Sequence, residues 1–230
     1  MKIIGLIGGI SWVSTADYYK LINQGINDKL GDLNFSECLI YSFNYADIKK
    51  NNENNDWDST FNMLLKGCQF LKQGGATAIV LCANTMHFIA DRLEEAIELP
   101  VIHIATATAV EIQKQGLKNV GLLGTKFTME LDFFKNKLIE KGIEAIIPDN
   151  EDDKDFIHTT IFEELGRGLV TPETKKRYLE IANELIAKGA EGIILGCTEI
   201  PLVILPEDLD VPIFDTAILH SKAAVDFQLS

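Results

Sequence analysis

Apolar positions along the chain fall into two kinds of run. Six are short, rich in Ile, Val and Leu, and bounded by Gly, Pro or small polar residues: 3–7, 78–81, 101–104, 120–123, 193–195 and 213–214. Unbroken apolar runs of this length are how strands buried on both faces of a parallel sheet read. Between them, apolar residues recur at helical spacing over 18–27, 61–73, 88–97, 129–141, 174–188 and 218–227. Strands alternating with amphipathic helices predict an α/β protein with helices on both sheet faces.

The pattern also repeats. Ile4-Gly5-Leu6-Ile7-Gly8 is echoed by Val120-Gly121-Leu122-Leu123-Gly124 at a shift of 116. Gly75-Ala76-Thr77-Ala78-Ile79-Val80-Leu81 is echoed by Gly189-Ala190-Glu191-Gly192-Ile193-Ile194-Leu195 at 114, and Pro100-Val101-Ile102-His103 by Pro212-Ile213-Phe214-Asp215 at 112. Three matches in one order at nearly one shift imply a duplicated fold. The expected architecture is two pseudo-symmetric Rossmann-like lobes, 1–100 and 101–215, with the C-terminal helix, 216–230, packing back on the first. One continuous doubly wound sheet is the alternative.

Composition narrows the function classes. At 47% hydrophobic residues a sizeable core is expected. No apolar run reaches the ~18 residues of a membrane span. The apolar start is too short for a secretory signal and runs straight into a Gly turn, so a cytoplasmic protein is expected. A formal net charge of −13 argues against nucleic acid and anionic membranes as partners. It also means that an acidic ligand must be held by local donors against an unfavourable overall field. The four cysteines form no CxxC pair and show no metal-ligand spacing with the four histidines, so no metal site is expected and buried, inert thiols are the default.

In parallel α/β sheets ligands bind beyond the carboxyl ends of the strands. Four segments lie there: 8–15, 82–87, 124–128 and 196–201, all rich in Gly, Ser, Thr, Asn or Cys. Cys197, at a strand end between Gly196 and Thr198, is the best candidate for chemistry, because amides at a following helix start favour the thiolate. Asn84, Thr85 and Thr198 can cap such helices and donate to a carboxylate. Residues 5–9 carry neither GxGxxG spacing nor a P-loop Lys, which argues against a phosphate loop.

Gly196-Cys197-Thr198-Glu199, Asn84-Thr85-Met86-His87 and Gly8-Gly9-Ile10-Ser11-Trp12-Val13-Ser14-Thr15 together resemble the aspartate/glutamate racemase family. The resemblance is closest to its bacterial aspartate or broad Asp/Glu branch; cell-wall glutamate racemases usually carry His where Glu199 stands. It spans essentially the whole chain, including Gly124-Thr125 and Phe162-Glu163-Glu164-Leu165. It implies an active site in the cleft between the lobes, no pyridoxal phosphate or other cofactor, a homodimer, and a small acidic amino acid as substrate. Two thiols would serve opposite faces of the α-carbon, one removing a proton as thiolate and the other returning one. On this pattern Cys197 is an acid/base thiolate, and Ile10, Ser11, Asn52, Asn84, Thr85 and Thr198 contact the substrate; Glu199, beside the thiol, reads as an orienting acid ahead of a cap for the following turn.

One departure stands out. The repeat pairs Cys197 with Ala83, the place of the family's first-lobe thiol, and pairs Cys82 with Gly196. Successive residues leaving a strand point to opposite sides, so Cys82 is expected behind the strand. Three readings remain open. Cys197 acts alone, with water or Thr85 serving the other face; an irregular turn presents Cys82; or the chain is a one-sided isomerase or decarboxylase of a small dicarboxylate, or a dicarboxylate-binding protein without turnover. The polar segment 47–57 reads as a loop able to close over the site; Lys49, Lys50 and Arg167 are candidate charge partners for a carboxylate, with solvated surface cations the commoner reading. His87 either supports the site from behind or is a satisfied packing histidine, and no role is expected for His103, His158 or His220.

Overall fold

A computed structural model describes all 230 residues. Its eight strands, all parallel, form two four-stranded sheets. In the first, β1 (Ile4–Gly8), β2 (Cys38–Ser42), β3 (Ala78–Leu81) and β4 (Val101–Ile102) lie in the order β2-β1-β3-β4. In the second, β5 (Asn119–Leu123), β6 (Glu144–Ile146), β7 (Ile193–Leu195) and β8 (Ile213–Asp215) lie in the order β6-β5-β7-β8. The chain divides into two compact units: Met1–Ile104 with His220–Ser230, and Ala105–Leu219. No helix is long and apolar enough to cross a membrane.

The duplication extends to pairing register. Gly5 pairs with Ile79 and Ile79 with Val101; in the second sheet Gly121 pairs with Ile193 and Ile193 with Ile213. Glycine recurs at the first position because a helix closes on the strand there. A Cβ on Gly5 would lie 2.9 Å from Leu71 Cβ, on α3 (Trp57–Gln73); one on Gly121 would lie 3.0 Å from Leu185 Cδ1, on α9 (Pro172–Ala187). Each unit has its own apolar cluster, built around Ile7, Leu64, Ile79 and Leu93 in one and Leu123, Tyr178, Leu185 and Ile193 in the other.

The remaining helices are α1 (Trp12–Leu30), α2 (Tyr45–Glu53), α4 (Ala90–Ile97), α5 (Ile104–Lys114), α6 (Lys126–Glu130), α7 (Asp132–Ile139), α8 (Glu151–Glu163) and α10 (Thr216–Leu229). Several differ from the hydropathy pattern. The edge strands β2 and β6 are half-exposed; their short apolar runs, 38–41 and 145–147, are not among the six runs of the hydropathy pattern. α8 is weakly amphipathic, but its start is well specified: Asn150 caps it, and Glu151, Asp152 and Asp153 sit in the first turn, where the helix dipole favours anions. The run at 129–141 is broken by extended backbone at Leu131. Segment 47–57 is not a loop: all but its last few residues lie in α2, anchored by buried Ile48 and joined by a short turn to α3, whose cap is Asp56.

The end of the chain closes the first unit. Lys2 N donates to Gln228 O (3.0 Å), and Gln228 Nε2 donates to the carbonyls of Lys2 (2.9 Å) and Glu37 (3.0 Å). Deeper, His220 Nε2–H donates to Ile102 O (2.6 Å), so its Nδ1 accepts from the Tyr18 hydroxyl (2.8 Å). The His87 ring lies 5.2 Å from that of His220. Burial pushes His87 down to about 4 and His220 to about 3.

Both rings are therefore neutral in the fold, whereas the unfolded chain takes up protons near the ordinary pH of about 6.5. Their contribution is full above that pH and is lost as pH falls toward about 4 and then about 3. Thermal unfolding followed from pH 8 to 3.5 is expected to hold level down to pH 6.5 and then decline. A melting temperature that stays flat to pH 4 would count against this placement of the two rings.

Candidate functional site

Both sheets finish their third strand in the same way. Cys82 N donates to Ile7 O (2.9 Å), and Gly196 N donates to Leu123 O (2.7 Å). These bonds continue the registers Ile7↔Leu81 and Leu123↔Leu195. Cys82 thus takes the place of Gly196, and Ala83 that of Cys197. Space dictates Gly at 196, since a Cβ there would lie 2.8 Å from Leu123 O. The first unit accommodates a side chain at this place by enclosing it. Cys82 is 1% exposed, its Sγ is 4.0 Å from Val80 O, and burial pushes its thiol far above the ordinary range.

Cys197 is only partly buried. Its Sγ donates to Glu199 Oε2 (2.8 Å), and the Thr198 hydroxyl donates to the same oxygen (2.8 Å). Removal from water, then the adjacent Glu199 charge and this hydrogen bond, hold the thiol well above its ordinary value. This corrects the expectation of a thiolate favoured by a helix start. No α-helix begins at either strand end. After β7 the chain makes two single 3-10 turns, Ile200–Leu202 and Pro206–Asp208, each with Pro at its start; after β3 it makes the 3-10 turn Thr85–Ile89. The capping roles expected of Asn84 and Thr198 are likewise absent. Asn84 has helical backbone and makes no capping bond, and the Thr198 hydroxyl is turned to Glu199. Cys197 rests as a neutral thiol beside a carboxylate.

The first unit presents the turn 8–11. Ser11 has φ 71° and ψ 117°, a backbone conformation costing a non-glycine residue about 1–3 kcal/mol. Thr15 holds it: Oγ1 accepts from Gly9 N (2.9 Å) and donates to Ser11 O (3.0 Å), while Ser11 Oγ accepts from Ser14 N (3.4 Å). Ser14 Oγ in turn donates to Cys82 O (2.7 Å), tying this turn to the end of β3. The Ile10 side chain belongs to the apolar cluster, so only its backbone is available to a ligand. Asn84 is buried and Thr85 partly buried. His87 Nδ1–H donates to the carbonyls of Ala83 (3.1 Å) and Asn84 (3.3 Å), fixing the backbone that carries both. Asn52, on α2, is buried and accepts the Thr60 hydroxyl at Oδ1 (3.0 Å). Lys49, Lys50 and Arg167 are exposed, and Lys49 pairs with Glu53 on its own helix (3.6 Å).

Ser14, Thr15 and Thr60 escaped the reading of the sequence. The first two are signalled by hydroxyls three and four residues after Ser11, and Thr60 by its position four residues before Leu64 on an otherwise apolar helix stripe. For the second unit the expected outcome of Glu199→Gln is a lower thiol pKa. Alkylation of Cys197 by iodoacetamide at pH 8, read by mass spectrometry, should accelerate about tenfold for each unit the pKa falls. An unchanged rate would remove Glu199 as a cause of the shift.

The Asp/Glu/Hydantoin racemase family model matches residues 7–224. A broad-specificity amino-acid racemase of Bacillus subtilis is 24% identical over 240 residues, covering 99% of this chain and 98% of that protein. Among solved structures, a candidate Asp/Glu racemase from Yersinia pestis is 44% identical with a TM-score of 0.95, and an aspartate racemase homologue from Pyrococcus horikoshii is 35% identical with a TM-score of 0.87. Both alignments cover 100% of each chain.

Proposed function

The chain belongs to the Asp/Glu/Hydantoin racemase family, and from that membership we propose that it racemises a small acidic amino acid with Cys197 as its one sulfur acid/base. The observation that supports this most directly is the partly buried Cys197 thiol at a strand end, hydrogen-bonded to Glu199. For abstraction the thiol proton passes to the Glu199 carboxylate, and the sulfur then takes the α-proton. The electron pair left on the α-carbon delocalises into the α-carboxylate, where preorganised donors stabilise it. Ser11, Asn84, Thr85 and nearby backbone N–H groups are those donors. In the other direction the resting thiol is already the acid: it gives its proton to the α-carbon and is left as the thiolate, which a proton from solvent restores.

The family pattern asks for a second acid/base at the place of Ala83, whose methyl group can neither give nor take a proton. Water, or the Thr85 hydroxyl, fills that role on this reading. The protein works in the cytoplasm without a bound cofactor, as a homodimer, on aspartate or glutamate. A rival reading is a one-sided enzyme or a binding protein of the same family, favoured by Ala83 alone.

Incubation with each enantiomer of aspartate and glutamate in deuterated water tests the proposal, with the α-proton and the optical rotation followed together. Exchange with inversion supports racemisation, exchange without inversion supports the one-sided enzyme, and neither overturns both. Cys197→Ser should lower exchange about 100-fold or more, in the range set by loss of a general acid/base. Cys82→Ser should stay within about twofold of the parent, and Ala83→Cys should raise inversion relative to exchange. Equal losses from the two serine variants would overturn the assignment of Cys197.

A further inference from the structure

The buried stripe of α1 begins with two hydroxyls. Its members are Ser14, Thr15, Tyr18, Ile22 and Ile26, and the first two are 2% and 7% exposed. Alanine and valine would fill those two places without taking a hydroxyl out of water, so packing alone does not call for Ser and Thr. What the hydroxyls supply is hydrogen bonds, and each bond reaches the main chain of a segment that borders the site.

The direction of every bond is fixed by its partner. Gly9 N can only donate and Ser11 O can only accept, so Thr15 Oγ1 accepts from the first (2.9 Å) and donates to the second (3.0 Å). Cys82 O can only accept, so Ser14 Oγ donates to it (2.7 Å). Thr15 therefore closes the turn 8–11 across its strained residue, Ser11. Ser14, one residue earlier on the same helical turn, ties α1 to the peptide between Cys82 and Ala83, next to Asn84. The approach is close as well: a Cβ on Gly8 would lie 2.4 Å from Thr15 Cγ2. A strained backbone persists only where its surroundings over-determine it, and such places gather at ligand clamps.

We propose that Ser14 and Thr15 are positioning residues that couple the turn 8–11 to the carboxyl end of β3, so that Ser11 and Asn84 keep one fixed spacing. The proton of each hydroxyl is committed to a carbonyl, so neither donates to a ligand and both act through the segments they hold. This rests on the racemase reading only for the reaction that the spacing serves. Donors displaced by about 1 Å can cost about 100-fold in rate. They can still bind a ground-state carboxylate while stabilising the developing carbanion less, so the loss falls on kcat.

The test compares the parent protein with Thr15→Val, Thr15→Ser, Ser14→Ala and the Ser14→Ala/Thr15→Val pair. Amide hydrogen–deuterium exchange read by mass spectrometry, with no substrate present, measures the coupling. Ser14→Ala and Thr15→Val are each expected to speed amide exchange about tenfold in both segments, 8–11 and 82–85, as for loss of a buried hydrogen bond. Thr15→Ser should leave both segments at the parent rate. Faster exchange confined to 82–85 in Ser14→Ala and to 8–11 in Thr15→Val would overturn the proposal. Turnover of the preferred acidic amino acid and its calorimetric Kd then read the function. kcat should fall about tenfold or more in Ser14→Ala and in Thr15→Val, with Kd within about threefold and Thr15→Ser near the parent. The pair should be no slower than the worse single variant, since both substitutions break one coupling. A lower melting temperature with unchanged kcat marks a merely structural role, and losses that multiply in the pair mark two independent ones; either result overturns the proposal. Should Thr15→Val fail to fold, Ser14→Ala must still speed exchange in 8–11 while Thr15→Ser matches the parent. Coupled amide exchange in a parent that turns over no acidic amino acid would overturn the racemase reading and leave the coupling standing. Turnover indifferent to both hydroxyls would overturn this proposal alone.

Discussion

A thiol that donates to a carboxylate 2.8 Å away is an acid at rest, and this bond between Cys197 and Glu199 governs the rest of the second unit's chemistry. Burial alone would make the sulfur inert; the carboxylate raises its proton affinity further but also gives that proton somewhere to go. Thr198 donates to the same oxygen and so holds the carboxylate in position. Gly196 lets the chain leave the sheet against Leu123 O, which a side chain there would prevent.

The first unit repeats this backbone and discards its chemistry. Register, strand order and helix approach are preserved, yet the thiol has moved one residue back, to Cys82, where the core encloses it. A one-residue shift at a strand end carries a side chain to the other side of the sheet, and for a thiol that is the difference between reactive and structural. What the first unit keeps is hydrogen-bonding apparatus: the strained turn at Ser11, Asn84 and the buried amide of Asn52.

Much of this was legible in the residues. Gly5 and Gly121, the strand runs ending at Leu81 and Leu195, and the pairing of Ala83 with Cys197 all follow from apolar periodicity and repetition, because burial on both faces leaves little freedom. The helix α2 was not, since its polar sequence stays helical through a few tertiary anchors such as Ile48 and the Asn52–Thr60 bond. The thiol's protonation was misjudged for a related reason. Whether a strand ends in an α-helix or a 3-10 turn depends on packing further along, and with the helix goes the dipole that lowers a pKa. Local motifs revealed which atoms are present, and tertiary structure decided their charge.

The bonds joining Lys2, Glu37 and Gln228 carry a consequence for biosynthesis. The first unit takes its final helix from residues that follow the second unit, which lies wholly within Ala105–Leu219. During translation the second unit can complete its core while the first, though begun earlier, still lacks the segment that supplies His220, Val225 and Gln228. The usual vectorial order, N-terminal part first, is thereby inverted. Ribosome pausing before His220 would leave the second unit's segment complete and Tyr18 of α1 without the imidazole that accepts its hydroxyl, open to proteases and chaperones.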